Sequence, residues 1–225
     1  MDRPIPVLEG AGVVLVGSFN PAILQPAWLG ARELVTKDEE SSFVTQVISR
    51  EVTILQLPWL LIQVTPERFE ITSEDPAHYL ALRDLVKGIF LILDSTPFNQ
   101  MGITRWMHCA VESEQRWHAL GDALAPKGPW QGLLESTRPD KLPGMASLTI
   151  LGTRESARSR STRATVEPSA RVKNGLFFRT HEHFEEEVGG TEIANRLLGY
   201  LDSEWQRSIE FCETVAERLI SLRTP

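Results

Sequence analysis

The sequence predicts an α+β protein. The expected architecture is a duplicated strand–helix–three strands–helix unit, forming a curved antiparallel sheet with two long helices packed on one face. Three observations predict it. Short strand-like apolar runs fall into two clusters. Each cluster closes on a long segment whose apolar residues recur every three or four positions. Each opens with a strand followed by a short helix. The halves are residues 1–95 and 96–225, read together as one compact pseudo-symmetric unit of a 225-residue chain.

The first half begins with AGVVLVGSF, where Val13 to Val16 form an unbroken apolar run. Such a run suits a strand buried on both faces. Asn20 is placed to cap or to close a turn, and Pro21 fits a first helical position. Pro26 offers a second helix start, with Trp28, Leu29 and Leu34 available to the core. Residues 44–72 predict three strands, FVTQVISREVTILQL, WLLIQV and ERFEITS. Pro58 separates the first two, and TPER turns into the third. Phe69 and Ile71 alternate with polar residues, as on a half-exposed strand. Pro76 then opens a helix whose Leu82, Leu85, Val86, Ile89, Phe90 and Leu93 share a face.

The second half begins with PFNQMGITRWMHCAVE, a long strand. Ile103, Arg105, Met107, Cys109 and Val111 share one side of it, and Trp106, His108 and Ala110 the other. SEQRWHALGDALA predicts a short helix capped by Ser113, and residues 125–144 a Pro- and Gly-bearing loop. MASLTILGT, TRATVEPSA and NGLFFRTHEHF predict three more strands. Ile193, Leu197, Leu201, Trp205, Ile209, Cys212, Ala216 and Leu219 predict a long final helix. The element order resembles that of TBP-like and effector-binding folds, in which two such halves form one curved sheet. That resemblance lies in element order alone, and such folds host unrelated functions.

Composition narrows the function classes. The formal net charge of −7 argues against broad nucleic-acid binding, which needs a basic footprint. Eighteen Arg against five Lys suit bidentate anion contacts, or reflect base composition of the genome. Cys109 and Cys212 belong to no CxxC pair and read as buried free thiols of a reducing compartment. The opening residues MDRPIPVLEGAG lack a signal-peptide pattern, and no apolar run approaches the roughly 20 residues that span a bilayer. The expected compartment is the cytoplasm, with no membrane partner.

Candidate chemistry is sparse. In THEHFEEE, His181 and His183 are two apart on a strand and share a face. With Glu185 they could ligate a metal, given a further ligand; His108 and His118 qualify by residue type. The competing reading is a solvated strand end with Phe184 packed inward. Residues 154–173 hold six basic and two acidic residues, the only basic concentration in the chain. Arg158, Arg160 and Arg163 are candidates to bind a phosphate-rich partner, nucleic acid included. The alternative is an exposed Arg- and Ser-rich hairpin arm. His108 and Cys109 point to opposite faces and cannot form a dyad. Ser18 lacks a GxSxG elbow, and the chain has neither a Walker A motif nor GxGxxG. Asn20, Trp28, Trp59 and Trp106 are candidates to border a ligand pocket. The expected function is a non-enzymatic binding module without a cofactor, holding a protein partner or small apolar ligand on a curved sheet or groove. The alternatives are a metal-dependent enzyme using His181 and His183, and nucleic-acid contact through the arginine-rich arm. An oligomer is compatible with each.

Overall fold

Nine strands join in one open antiparallel sheet with the order β2-β3-β4-β5-β1-β6-β9-β8-β7. The computed structural model describes residues 4–130, 144–152, 160–186 and 190–223. The strands are β1 (Pro6–Gly17), β2 (Val44–Ile48), β3 (Thr53–Leu57), β4 (Leu60–Val64), β5 (Arg68–Ser73), β6 (Phe98–Ala110), β7 (Leu148–Leu151), β8 (Arg160–Pro168) and β9 (Gly175–Glu185). The helices are α1 (Pro26–Ala31), α2 (Lys37–Ser42), α3 (Tyr79–Ile92), α4 (Glu114–Leu124) and α5 (Gly190–Ile220). No helix among the described residues is long and apolar enough to cross a membrane.

The centre of the sheet is the β1–β6 pair, with Val13 opposite Ile103 and Leu15 opposite Met101. These two strands come from opposite sides of residue 95, so the sheet is continuous across both halves. Alternation divides its faces. Ala11, Val13, Leu15, Phe69, Ile71, Met101 and Ile103 point to one side and are fully or almost fully buried. On that side α3 adds Leu82, Leu85, Val86, Ile89 and Phe90, and α5 adds Leu197, Leu201 and Trp205, in one apolar cluster. A second cluster joins Met107, Cys109, Leu120, Val166, Phe178, Cys212 and Ala216. The helices thus bury their apolar stripes on one face, and among the described residues the opposite face is left to strand side chains.

Two buried charge networks lie on the helical side. Arg105 sits between the clusters, donating through Nη1 to Gly10 O at 3.0 Å, Tyr79 Oη at 3.1 Å and Trp106 O at 2.8 Å. Its Nη2 pairs with Glu9. Arg160 pairs with Glu182 at 2.6 Å and with Glu204 at 3.1 Å. The hydroxyl of Ser208 donates to Glu182 at 2.5 Å. Each carboxylate therefore has a partner, as a buried charge requires.

The sequence reading is corrected at three places. Residues 44–57 form two strands, because the Ser49 hydroxyl accepts from the amides of Glu51 at 3.1 Å and Val52 at 3.0 Å and folds the chain into a turn. Helix α2 is an addition, fixed by a capping box between Thr36 and Glu39. In consequence the halves do not share one element order among the described residues: the first supplies five strands and the second four.

Candidate functional site

The uncovered face carries a depression of about 420 Å³ that crosses β5, β1, β6, β9 and β8. Its floor is the pair of central strands, where Val14 and Val16 of β1 lie opposite Gly102 and Gln100 of β6, with Thr104 two residues beyond Gly102. Its rim carries Arg68 and Glu70 from β5, Arg163 from β8, and Arg179, His181 and His183 from β9, with the arginines outnumbering the one carboxylate. Antiparallel register sets this grouping. Thr104 lies opposite His181, and His181 lies opposite Arg163. Arg179, two residues before His181, falls on the same face.

Gly102 lets His181 approach the floor. A Cβ at Gly102 would stand 2.3 Å from His181 Cε1 and 2.8 Å from Nε2. An aromatic ring covering a central-strand glycine is a close-approach device, and the sheet repeats it one strand over, where Trp106 of β6 covers Gly10 of β1. His181 Nδ1 lies 2.8 Å from Thr104 Oγ1, which fixes the ring. The rings of His181 and His183 stack at 6.1 Å between centroids.

The electrostatics are one-sided. Arg68 is satisfied by Glu70, with Nε and Nη2 at 3.1 and 3.0 Å from Oε2. Arg163 and Arg179 are exposed, and no acidic side chain among the described residues reaches either within ion-pair distance. Burial lowers the pKa of His181, and His183, Arg163, Arg179 and Arg68 add to the shift, which brings it to about 4. The ring is therefore neutral at physiological pH.

Of the metal-ligand candidates, His181 and His183 do share a face, while Glu185 accepts from Gln100 Nε2 at 3.2 Å. His108 Nδ1 contacts Ser169 Oγ at 2.8 Å, and His118 lies on α4 beside Glu114 at 3.9 Å. Among the described residues, no three of the His, Cys, Asp and Glu side chains form a metal-holding group. Of the arginine candidates, Arg163 joins the depression and Arg160 is buried beneath the opposite face. Arg158 lies outside the described residues.

The pocket-bordering candidates do not converge. Asn20 caps a short helical turn by accepting from the Ala22 amide at 3.2 Å, and it borders a separate recess of about 420 Å³ with Phe19, Leu93 and Pro97. Trp28 packs against the larger core cluster. Trp59 stacks on His78 at 4.7 Å and donates to Glu39 at 3.1 Å. Trp106 lies on the uncovered face over Gly10. Burial pushes the thiols of Cys109 and Cys212 up to about 12 and about 11, so neither is a thiolate nucleophile at neutral pH.

Arg68, Gly102, Thr104 and Arg179 are site residues that sequence reasoning missed. Arg179 carried a usable signal, since it precedes His181 by two on a predicted strand. Gly102, in mid-strand, carried the usual mark of a close approach. Compared with known proteins, the chain matches no protein-family model and no curated protein sequence.

Proposed function

We propose that the protein is a non-enzymatic binding module that holds a small polar ligand on the uncovered face of its sheet. One observation carries the reading. The depression joins five strands from both halves of the chain and gathers polar side chains over an apolar, glycine-bearing floor. Concave sites with a few convergent polar groups and a perturbed titratable residue are where ligands bind. The lining is polar and cationic, which favours a polar occupant over the small apolar molecule the sequence allowed. Coulomb repulsion from Arg163 and Arg179 opposes a metal cation at His181 and His183.

The test is native mass spectrometry of protein gently purified from its own cells, beside the variant Val16→Trp. The indole would fill the depression from β1 without altering a charge. The expected result is an added mass on the wild type that the variant lacks, with unchanged circular dichroism. A bare wild-type chain, or an added mass retained by the variant, rejects this face as the binding surface.

A further inference from the structure

We propose that the depression receives the dianionic phosphate of a small phosphomonoester, held between Arg163 and Arg179 with His181 as a further donor. This rests on the reading of the uncovered face as the binding surface and names the chemistry it recognises.

Charge balance points to a dianion. The Arg68–Glu70 pair is internally neutralised. Arg163 and Arg179 leave two uncompensated positive charges among the described residues at the rim. A phosphomonoester carries about −1.5 to −2 at neutral pH and matches that count. Geometry agrees. His181 lies opposite Arg163, and Thr165 lies opposite Arg179, so the two arginines are diagonal neighbours on one face. Diagonal cross-strand positions are about 7–8 Å apart, within reach of long side chains. Two guanidinium forks can therefore converge on one tetrahedral anion, the geometry Arg serves best.

His181 completes the site. Its Nδ1 is committed to Thr104, and Nε2 lies over Gly102 on the floor. The charged and titratable groups around the ring are His183, Glu185 and Arg179 on β9, Arg163 on β8, and Arg68 and Glu70 on β5. β1 and β6 offer only uncharged side chains there. A bound dianion offsets the cationic neighbours that disfavour the His181 proton, so binding favours the imidazolium. Both ring nitrogens then donate, Nδ1 to Thr104 and Nε2 to the anion.

The test is isothermal titration of the full chain with inorganic phosphate, glycerol 3-phosphate and sulfate at fixed ionic strength, with the His181 ring followed by NMR. Arg163→Gln and Arg179→Gln should each weaken glycerol 3-phosphate binding at least tenfold. Arg171→Gln, at an exposed ion pair with Glu74, should leave it unchanged. Saturating sulfate, whose charge is constant in this range, should move the His181 titration midpoint upward. Binding of glycerol 3-phosphate at least as tight as inorganic phosphate supports an ester; binding of inorganic phosphate alone rejects one. No binding by any of the three anions, wild-type affinity in both site variants, or an unmoved His181 midpoint overturns the proposal. If the Val16→Trp variant nevertheless loses a ligand carried by the wild type, the binding face stands and only the phosphate assignment falls.

Discussion

At Gly102 the absence of a side chain decides where His181 can lie. A Cβ there would come within 2.3 Å of the ring, and the ring is tethered to Thr104. Gly102→Ala must therefore break that tether or shift β6 against β9. Overpacking of this kind costs about 1–3 kcal/mol. Urea denaturation should show that loss, and His181→Ala in the same chain should recover most of it. Additive single-variant effects would show that ring and glycine are not coupled. The same histidine sets a pH dependence. Its folded pKa, about 4, lies below the ordinary value of 6.5. The unfolded chain binds the proton more readily, so stability is fully present above about pH 6.5. It is lost as pH falls from 6.5 towards 4. The loss is on the order of 2–3 kcal/mol, since each pH unit of pKa difference corresponds to about 1.4 kcal/mol. His181→Gln should flatten that part of the stability profile while leaving the carboxylate-driven fall at lower pH. A profile identical to wild type would remove the histidine from the acid response.

Between elements, the Arg160 network fastens β8 and β9 to α5. Arg160, Glu182 and Glu204 are each at least 90 % buried, and Ser208 supplies a further hydrogen bond from the helix. Removing one partner from such a set leaves an uncompensated buried charge, at a cost of about 3–5 kcal/mol. Glu182→Ala should lower the urea midpoint by a corresponding amount, whereas Glu185→Ala, on the other face of the same strand, should change it little. Equal effects at both positions would mean that burial of the network carries no special cost. This element scale also separates what the sequence reveals from what it hides. Strand parity alone places His181, His183 and Arg179 on one face and Glu182 and Phe184 on the other. Parity likewise puts Arg160 and Arg163, three apart, on opposite faces, so only one of them can meet the histidines. Parity does not say which strand lies beside which. The meeting of Arg163 with His181 depends on the β8–β9 register, and that of Thr104 with His181 on β6–β9. Long-range pairing and the packing of the opposite face set both, and no local pattern encodes them. The turn at 49–52 was hidden for a related reason. VISREV has strand formers at both ends and no Gly, Pro, Asn or Asp between them, and a serine hydroxyl capturing two amides decides the break. The capping box of α2, by contrast, stands in the sequence as TKDE and was open to reading.

Across the whole molecule, α5 makes one unit of the two apolar clusters. Its 31 residues extend roughly 46 Å at 1.5 Å per residue. The first part of the helix, through Leu197, Leu201, Trp205 and Ile209, closes the cluster built on β1, β5 and α3. The last part, through Cys212 and Ala216, closes the cluster built on Met107, Leu120 and Phe178. Between them β6 runs from Ile103 in the first cluster, past the buried Arg105, to Met107 in the second. Unfolding either cluster alone would strip one end of α5 and expose one end of β6, and opening near Arg105 would leave the Glu9 pair in contact with a half-formed core. The two clusters should therefore unfold together. In urea, far-UV circular dichroism and tryptophan fluorescence should trace one coincident transition. Trp205→Ala tests the coupling directly. Trp205 is 1 % exposed, and its truncation should cost about 3–5 kcal/mol. Trp205 belongs to the first cluster, whereas Trp117 packs against the second and donates to Gly175 O at 2.9 Å. Amide exchange followed through Leu120 and Phe178 should speed up by the same factor as exchange through Val13 and Ile71. If protection fell only around Val13 and Ile71, the clusters would be separate folding units, and the strands that line the binding surface would not open and close as one.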